Sequence, residues 1–265
     1  MKQLTHTLRR TAALLLAAVV AVPALRAEES PKNGINNLLK AALRGWHVKL
    51  SAGFNLGGTS PLPLPREIRG IDSYNPTMCV SIEGAVQKRF DDSPWGMLVG
   101  VRLETKGMKT DATVKDYHME MTERDGGYME GAFTGHVKTK VRNTYLTFPV
   151  LATYAVGDRW TVSAGPYVAW MYDGDFSGAA YDGYLRHGDP AGPRADVSEA
   201  TYDFSDDLRK FQWGVQAGAE WKAYKHLSVY ANLEWGINSI FPSDFGGITF
   251  DMYPIYANVG FSYLF

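Results

Sequence analysis

The sequence predicts an all-β protein: a transmembrane, antiparallel, up-and-down β-barrel of eight strands, with ten as the alternative count. Three observations lead there. Apolar and polar residues alternate with a period of two over eight separate stretches. The segments joining those stretches switch between tight turns and long polar loops. After the amino-terminal segment, no window approaches the ~18 continuous apolar residues of a membrane-spanning helix, so any crossing is made by strands.

Residues 1–27 read as a cleaved signal peptide. Lys2, Arg9 and Arg10 precede a short apolar run, and Ala24 and Ala27 offer small residues for cleavage. Residues 28–45 read as a periplasmic lead-in. Ile35, Leu38, Leu39, Ala42 and Leu43 recur at helical spacing there, so a short helix and a flexible segment both fit. Residues 46–265 are left for the barrel.

The first strand sets Trp46, Val48, Leu50, Ala52, Phe54 and Leu56 against His47, Lys49, Ser51, Gly53 and Asn55. The second, over residues 76–90, opposes Met78, Val80, Ile82 and Val86 to Cys79, Ser81, Glu83 and Gln87. The third starts at Trp95 and separates Met97, Val99, Val101 and Leu103 from Gly100, Arg102 and Glu104. The fourth, over residues 140–156, has Leu146, Phe148, Val150, Ala152 and Tyr154 on its apolar face, and the fifth has Trp160, Val162, Ala164, Val168 and Trp170. The sixth alternates Phe211, Trp213, Val215, Ala217, Ala219 and Trp221 with Gln212, Gly214, Gln216, Gly218, Glu220 and Lys222. The seventh opposes Leu227, Val229, Ala231, Leu233 and Trp235 to Ser228, Tyr230, Asn232 and Glu234. The eighth, residues 252–265, has Tyr253, Ile255, Ala257, Val259, Phe261, Tyr263 and Phe265 on one face, and the chain stops on that aromatic. Phe261, Tyr263 and Phe265 resemble the carboxy-terminal signal that outer-membrane assembly machinery reads.

The turns at residues 91–94, 157–158 and 224–226 are tight, whereas residues 57–75, 110–139, 173–209 and 237–251 are long and polar. Short turns at one end and long loops at the other describe an outer-membrane barrel with the short turns in the periplasm. The apolar faces are almost free of charge, and an Arg or Lys facing lipid at mid-depth costs about 2–4 kcal/mol. The charged rows therefore face inward. Lys49, Glu83, Arg102, Glu104, Glu220, Lys222 and Glu234 are expected to form a polar network in a lumen just wide enough for side chains. Trp46, Trp95, Trp160, Trp170, Trp221 and Trp235 fall near strand ends, as interfacial girdles do.

Two other architectures fit parts of the pattern. A soluble lipocalin-like barrel does not account for the aromatic outer faces or for Phe265. A ten-strand barrel would place Tyr117–Met121 and Tyr128–Phe133 in the membrane around a turn at 125–127, but Asp116, Glu120, Glu123 and Arg124 are too charged for lipid. A ribbon that extends strands three and four beyond the bilayer is expected instead.

Composition agrees: aromatic residues are 13%, with 7 Trp, 15 Tyr and 12 Phe, which suits aromatic girdles. A formal net charge of −1 gives no electrostatic basis for nucleic acid binding. The single cysteine, Cys79, excludes an intrachain disulfide and reads as a lumen-facing residue.

The run N-T-Y-L-T-F-P-V-L-A-T-Y at 143–154, then V-S-A-G-P-Y at 162–167, resembles the PorT-like outer-membrane β-barrel family. Gly53 to Gly57 and Asn258 to Phe261 are similar to its opening and closing motifs. The resemblance implies a barrel over 46–265, and for some members a tie to protein secretion across the outer membrane.

No residue pattern points to catalysis. His118, His136 and His187 fall in long loops, His226 in a tight turn and His47 at a periplasmic strand end, none spaced to a nucleophile. Asp173, Asp175, Asp182, Asp189, Asp196, Glu199, Asp203, Asp206 and Asp207 crowd the third loop without a twelve-residue calcium pattern, and read as a solvated loop. No cofactor or metal site is expected. The reading is a non-enzymatic scaffold or interaction module of the cell envelope, with a narrow channel and a lipid-modifying enzyme as the alternatives. Its expected partners are outer-membrane lipid, the barrel-assembly machinery during insertion and another envelope protein.

Overall fold

In the computed structural model, residues 45–123, 127–187 and 192–265 are described. The signal-peptide assignment, nearly all of the lead-in, Arg124, residues 125–126 of the turn and Asp189 of the third loop lie outside them. Ten strands follow in order: β1 (Trp46–Pro61), β2 (Ile68–Asn75), β3 (Cys79–Arg89), β4 (Trp95–Glu123), β5 (Tyr128–Val156), β6 (Trp160–Arg186), β7 (Arg194–Asp203), β8 (Phe211–Tyr224), β9 (Leu227–Gly236) and β10 (Met252–Leu264).

Eight of them close into a ring. Going round it, β1 pairs β3, then come β4, β5, β6, β8, β9 and β10, every neighbour antiparallel, and β10 returns to β1. The seam is long, running from Lys49↔Leu264 to Pro61↔Met252. Closure is what lipid demands, because an open edge would leave backbone groups unpaired in hydrocarbon. The alternation is inverted relative to a soluble barrel. Phe54, Val80, Ile82, Val150, Leu233 and Phe261 are exposed, while Asn55, Ser81, Glu83, Thr147, Glu234 and Ser262 are buried.

β2 and β7 are outside this ring. The second long loop is the expected ribbon: β4 and β5 run on beyond the barrel and pair as far as Thr122↔Tyr128. The first and third loops depart from expectation. Residues 57–75 contain β2, which pairs β4 through Asn75↔Lys109. Residues 173–209, expected as a solvated loop, continue β6 to Arg186 and form β7. β7 pairs β6 and touches β4 at Thr122↔Thr201, so β4, β5, β6 and β7 curl into a head.

A strand of about 9–11 tilted residues spans a bilayer, so β4 and β5 at 29 residues and β6 at 27 are long enough to build both barrel and head. Along β4 the inward positions run Arg102, Glu104, Lys106 and then Met108, Val114, Met119 and Met121. On β5 they pass from Thr147 and Asn143 to Val141, Val137 and Phe133. The interior thus changes from polar to apolar while the strands keep their direction. Lipid surrounds the barrel and water surrounds the head, so the apolar face points outward in one and inward in the other. The charges of Lys109, Lys115, Lys138 and Lys140 sit outside the head. Residues 237–251 fold over it, placing Ile240, Phe241 and Ile248 in the same core as Phe176, Tyr202 and Phe204.

Candidate functional site

The barrel lumen gathers most of the inward charges. Arg102 on β4 is 2% exposed and sits at the centre. Its Nε donates to Glu83 Oε2 at 2.7 Å and its Nη2 to Gln216 at 2.9 Å, while Nη1 donates to Glu234 from the other side of the barrel. Glu104 lies 3.7 Å from the same guanidinium. The guanidinium fork lets one cation serve three strands at once.

Glu104 is also held by Thr147 at 2.7 Å and by Asn55 at 3.1 Å. Asn258 donates to Asn55 at 2.6 Å and to Ser81 at 2.7 Å, tying β10 to β1 and β3. Nearer the short turns, Lys49 pairs with Glu220, which also accepts from Ser262 at 2.9 Å. Three cations and four carboxylates therefore share the lumen. Desolvated charges of this kind persist only when paired and hydrogen-bonded.

One expected member is elsewhere. Lys222 is exposed, close to the end of β8 where the barrel meets water at the short turns, and among the described residues it is in none of the network's ion pairs. Alternation along β8 gives it the same phase as Glu220, but depth along the strand removes it. One member was missed: Lys106, buried, lies 3.1 Å from Glu104 and 2.7 Å from Glu234. It faces the rings of Tyr145, Tyr167 and Tyr256 at 5.3–5.8 Å from their centroids. Continuing the third strand by two residues past Glu104 would have found it. Glycines make room for rings lying across the lumen: a Cβ on Gly214 would come within 2.8 Å of the Tyr167 ring.

The side chains leave little space. The void bounded by Lys49, Glu83, Gln216, Glu220 and Tyr230 is about 20 Å³, room for a single water.

At the seam, Phe265 N–H donates to Val48 O at 2.8 Å, and His226 Nδ1 lies 2.8 Å from Leu264 O. Tyr263 and Phe265 meet edge-on at 4.7 Å, and with Phe261 they are exposed on the outer face. His47 lies 3.4 Å from the Phe265 carbonyl oxygen, so it belongs to the strand end.

On the outer face of the head, ligand atoms of Asp72, Asp111 and His136 lie within 4.8 Å of one another. Thr113 donates to Asp72 at 2.8 Å and Tyr181 to Asp111 at 2.8 Å. The Asp111 carboxylate pushes the Tyr181 phenol up to about 12. The sequence placed His136 in a loop and gave no sign that β2 would bring Asp72 to it. Two acids of the third loop hold strands and turns: Asp175 accepts from Lys140 at 2.5 Å and Ser177 at 2.6 Å, and Asp203 from Ser205.

Among solved structures, the chain is similar to Ail of Yersinia pestis, bound there to the heparin analogue sucrose octasulfate, with 9% identity, 83% of this chain and 97% of that one covered, and a TM-score of 0.33. It is similar to Neisserial surface protein A with 10% identity, the same coverages and a TM-score of 0.31. Likeness at such scores carries no argument about this chain. None of the curated proteins matches it. A family match carries more: residues 27–242 match the family described as outer membrane protein beta-barrel domain. With that match over most of its length and a closed ring of eight lipid-facing strands, the chain belongs to the outer membrane protein β-barrel domain family.

Proposed function

We propose that the protein is a non-enzymatic, non-conducting barrel that anchors a β-structured head outside the outer membrane as an interaction module of the cell envelope. The filled lumen carries this reading. A residual void of about 20 Å³ among paired charges supports a lumen filled by its own side chains. The side-chain arrangement supports a plug, since each lumen cation is held by at least one carboxylate.

The partners follow from position. Lipid meets the barrel wall, the assembly machinery meets the terminal strand during insertion, and another envelope protein meets the head. The narrower resemblance of residues 143–154 to PorT-like proteins favours a partner in a secretion or surface machine.

Conductance of the purified full-length protein in planar bilayers tests the plug, and no unitary steps are expected. Reproducible ion-selective steps would overturn it. Crosslinking in intact cells through the exposed head residues Lys109, Lys115, Lys138 and Lys140, followed by mass spectrometry, tests the interaction role. One abundant envelope partner is the expected result.

A further inference from the structure

Beyond the polar plug, the head encloses a second space of a different kind. It is a cavity of about 310 Å³, within the range of small-molecule pockets and about twice an apolar cavity that takes up benzene. No residue lining it carries a charge. Its walls are Met108 and Val114 of β4, Val137 of β5, Phe176 of β6, and Met252 and Ile255 of β10. Hydroxyls of threonine and tyrosine are its main side-chain polarity.

The wall round this cavity is interrupted on one side. The β1–β3 ladder ends at Asn55↔Cys79. β2 then takes the place of β3 beside β4, but it has no ladder to β1. Residues 57–61 of β1 therefore pair with β10 alone. The backbone N–H of Thr59 on that open edge donates to the thioether of Met108 at 3.3 Å.

Leu64, on the segment joining β1 to β2, and Ile71, on β2, are 53% and 58% exposed and line the cavity, as does the half-exposed Tyr74. The lipid-facing row of β1 ends at Leu56, and that of β3 is continued outward by Met78, both exposed. The gap is the next step outward along β1. It is an apolar opening continuous with the surface that touches acyl chains. Arg66, on the segment joining β1 to β2, and Arg69, on β2, are both exposed, and Arg66 Nε donates to the neighbouring Glu67 at 3.2 Å.

From this geometry we propose that the head cavity binds an unbranched hydrocarbon chain, which enters sideways between β1 and β2 and leaves an anionic head group at the rim beside Arg66 and Arg69. The uncharged lining excludes the head group from the interior, because an unpaired charge there would be desolvated without compensation. The Tyr74 ring and the Met108 thioether lie against Gly58 in the slit, so a chain enters by displacing these two side chains. This inference does not rest on the closed lumen: the cavity lies outside the plug, and a conducting barrel would leave it unchanged.

The test uses the full-length protein in lipid nanodiscs and two photoreactive probes. One is palmitate with a diazirine on its chain, added from water; the other is phosphatidylglycerol with the same group, placed in the bilayer. After illumination, labelled residues are mapped by mass spectrometry. The decisive positions are Val114, Val137 and Met252, which are buried from the bulk bilayer. Label there from either probe supports the proposal, and the probe that gives it identifies water or bilayer as the source.

Ala112→Phe puts a ring into the cavity and should lower that label by at least about ten-fold, a loss of the order that one misfitting group produces. Ala112→Ser should keep it. Ile71→Glu, at a position 58% exposed, places a carboxylate at the cavity lining and should also lower it. No label on the buried positions from either probe, or equal label in the wild type and the folded Ile71→Glu protein, would overturn the proposal.

Discussion

Arg102 and Glu234 meet across the full width of the lumen, 132 residues apart in sequence and on strands β4 and β9, which lie opposite each other in the ring of eight. This contact ties the two halves of the barrel together through its centre. Neither residue has water to fall back on.

Arg102→Ala should therefore be severe. It strands Glu83, Glu104 and Glu234 with less compensation, and removing one partner of a buried charge group costs about 3–5 kcal/mol. The urea midpoint of the folded barrel in lipid vesicles should fall accordingly. Arg102→Ala with Glu234→Ala should cost less than the sum of the two single changes, since the second removes a charge the first left unpaired. Strict additivity would show that the pair is not coupled.

The carboxy-terminal aromatics act at a different stage. Removing Phe265, or replacing Phe261, Tyr263 and Phe265 by Ser, should lower the amount of folded protein reaching the membrane. Deletion removes the Phe265 N–H bond to Val48 and one ring, whereas the triple Ser variant keeps that backbone bond and removes three lipid-facing rings. The readout is the heat-modifiable band on gels of outer membranes. A normal band in the triple variant would sink the idea.

The head has a core of its own. Phe133 is fully buried, opposite Leu185 in the β5–β6 ladder and among the residues of that core. Phe133→Ala should cost about 3–5 kcal/mol there, and the loss should be local. Limited proteolysis should then cut within the head while a protected barrel remains. Equal loss of both parts would mean that they fold as one unit.

Tyr181 offers a pH signature. Its phenol donates to Asp111 and is pushed up to about 12. A raised pKa means that the folded state holds the proton more tightly, so the stabilisation is present below the unfolded value of about 10. It fades as pH rises from there through the folded value. The difference in phenolate absorbance between wild type and Tyr181→Phe should titrate near pH 12, and Asp111→Ala should bring it back toward the ordinary range.

The barrel was legible because its signal is local. Period-two alternation around Phe54, Ile82, Val215 and Phe261 is visible in a dozen residues, and lipid tolerates charge on one face only. The head was not legible for the same reason. The ribbon over residues 110–139 was expected, but residues 173–209 carry charges such as Asp182 on their outer face, and such sequence also reads as a solvated loop. Only the pairing of β6 with β7 brings Phe176, Tyr202 and Phe204 together. Lys222 shows the complementary failure: alternation gives the face of a side chain but not its depth.

The sequence by itself determined the membrane address, eight alternating strands with ten as the alternative count, their inward and outward faces and the aromatic terminal strand. Each is written in short-range periodicity that lipid enforces. Tertiary structure alone decided which charges meet, that Lys106 joins them, that β2 brings Asp72 to His136 and leaves β1 open beside an apolar cavity. Those outcomes depend on which strands become neighbours after the ring closes, and on where water replaces lipid along a continuous strand. Neither is a local property of the chain.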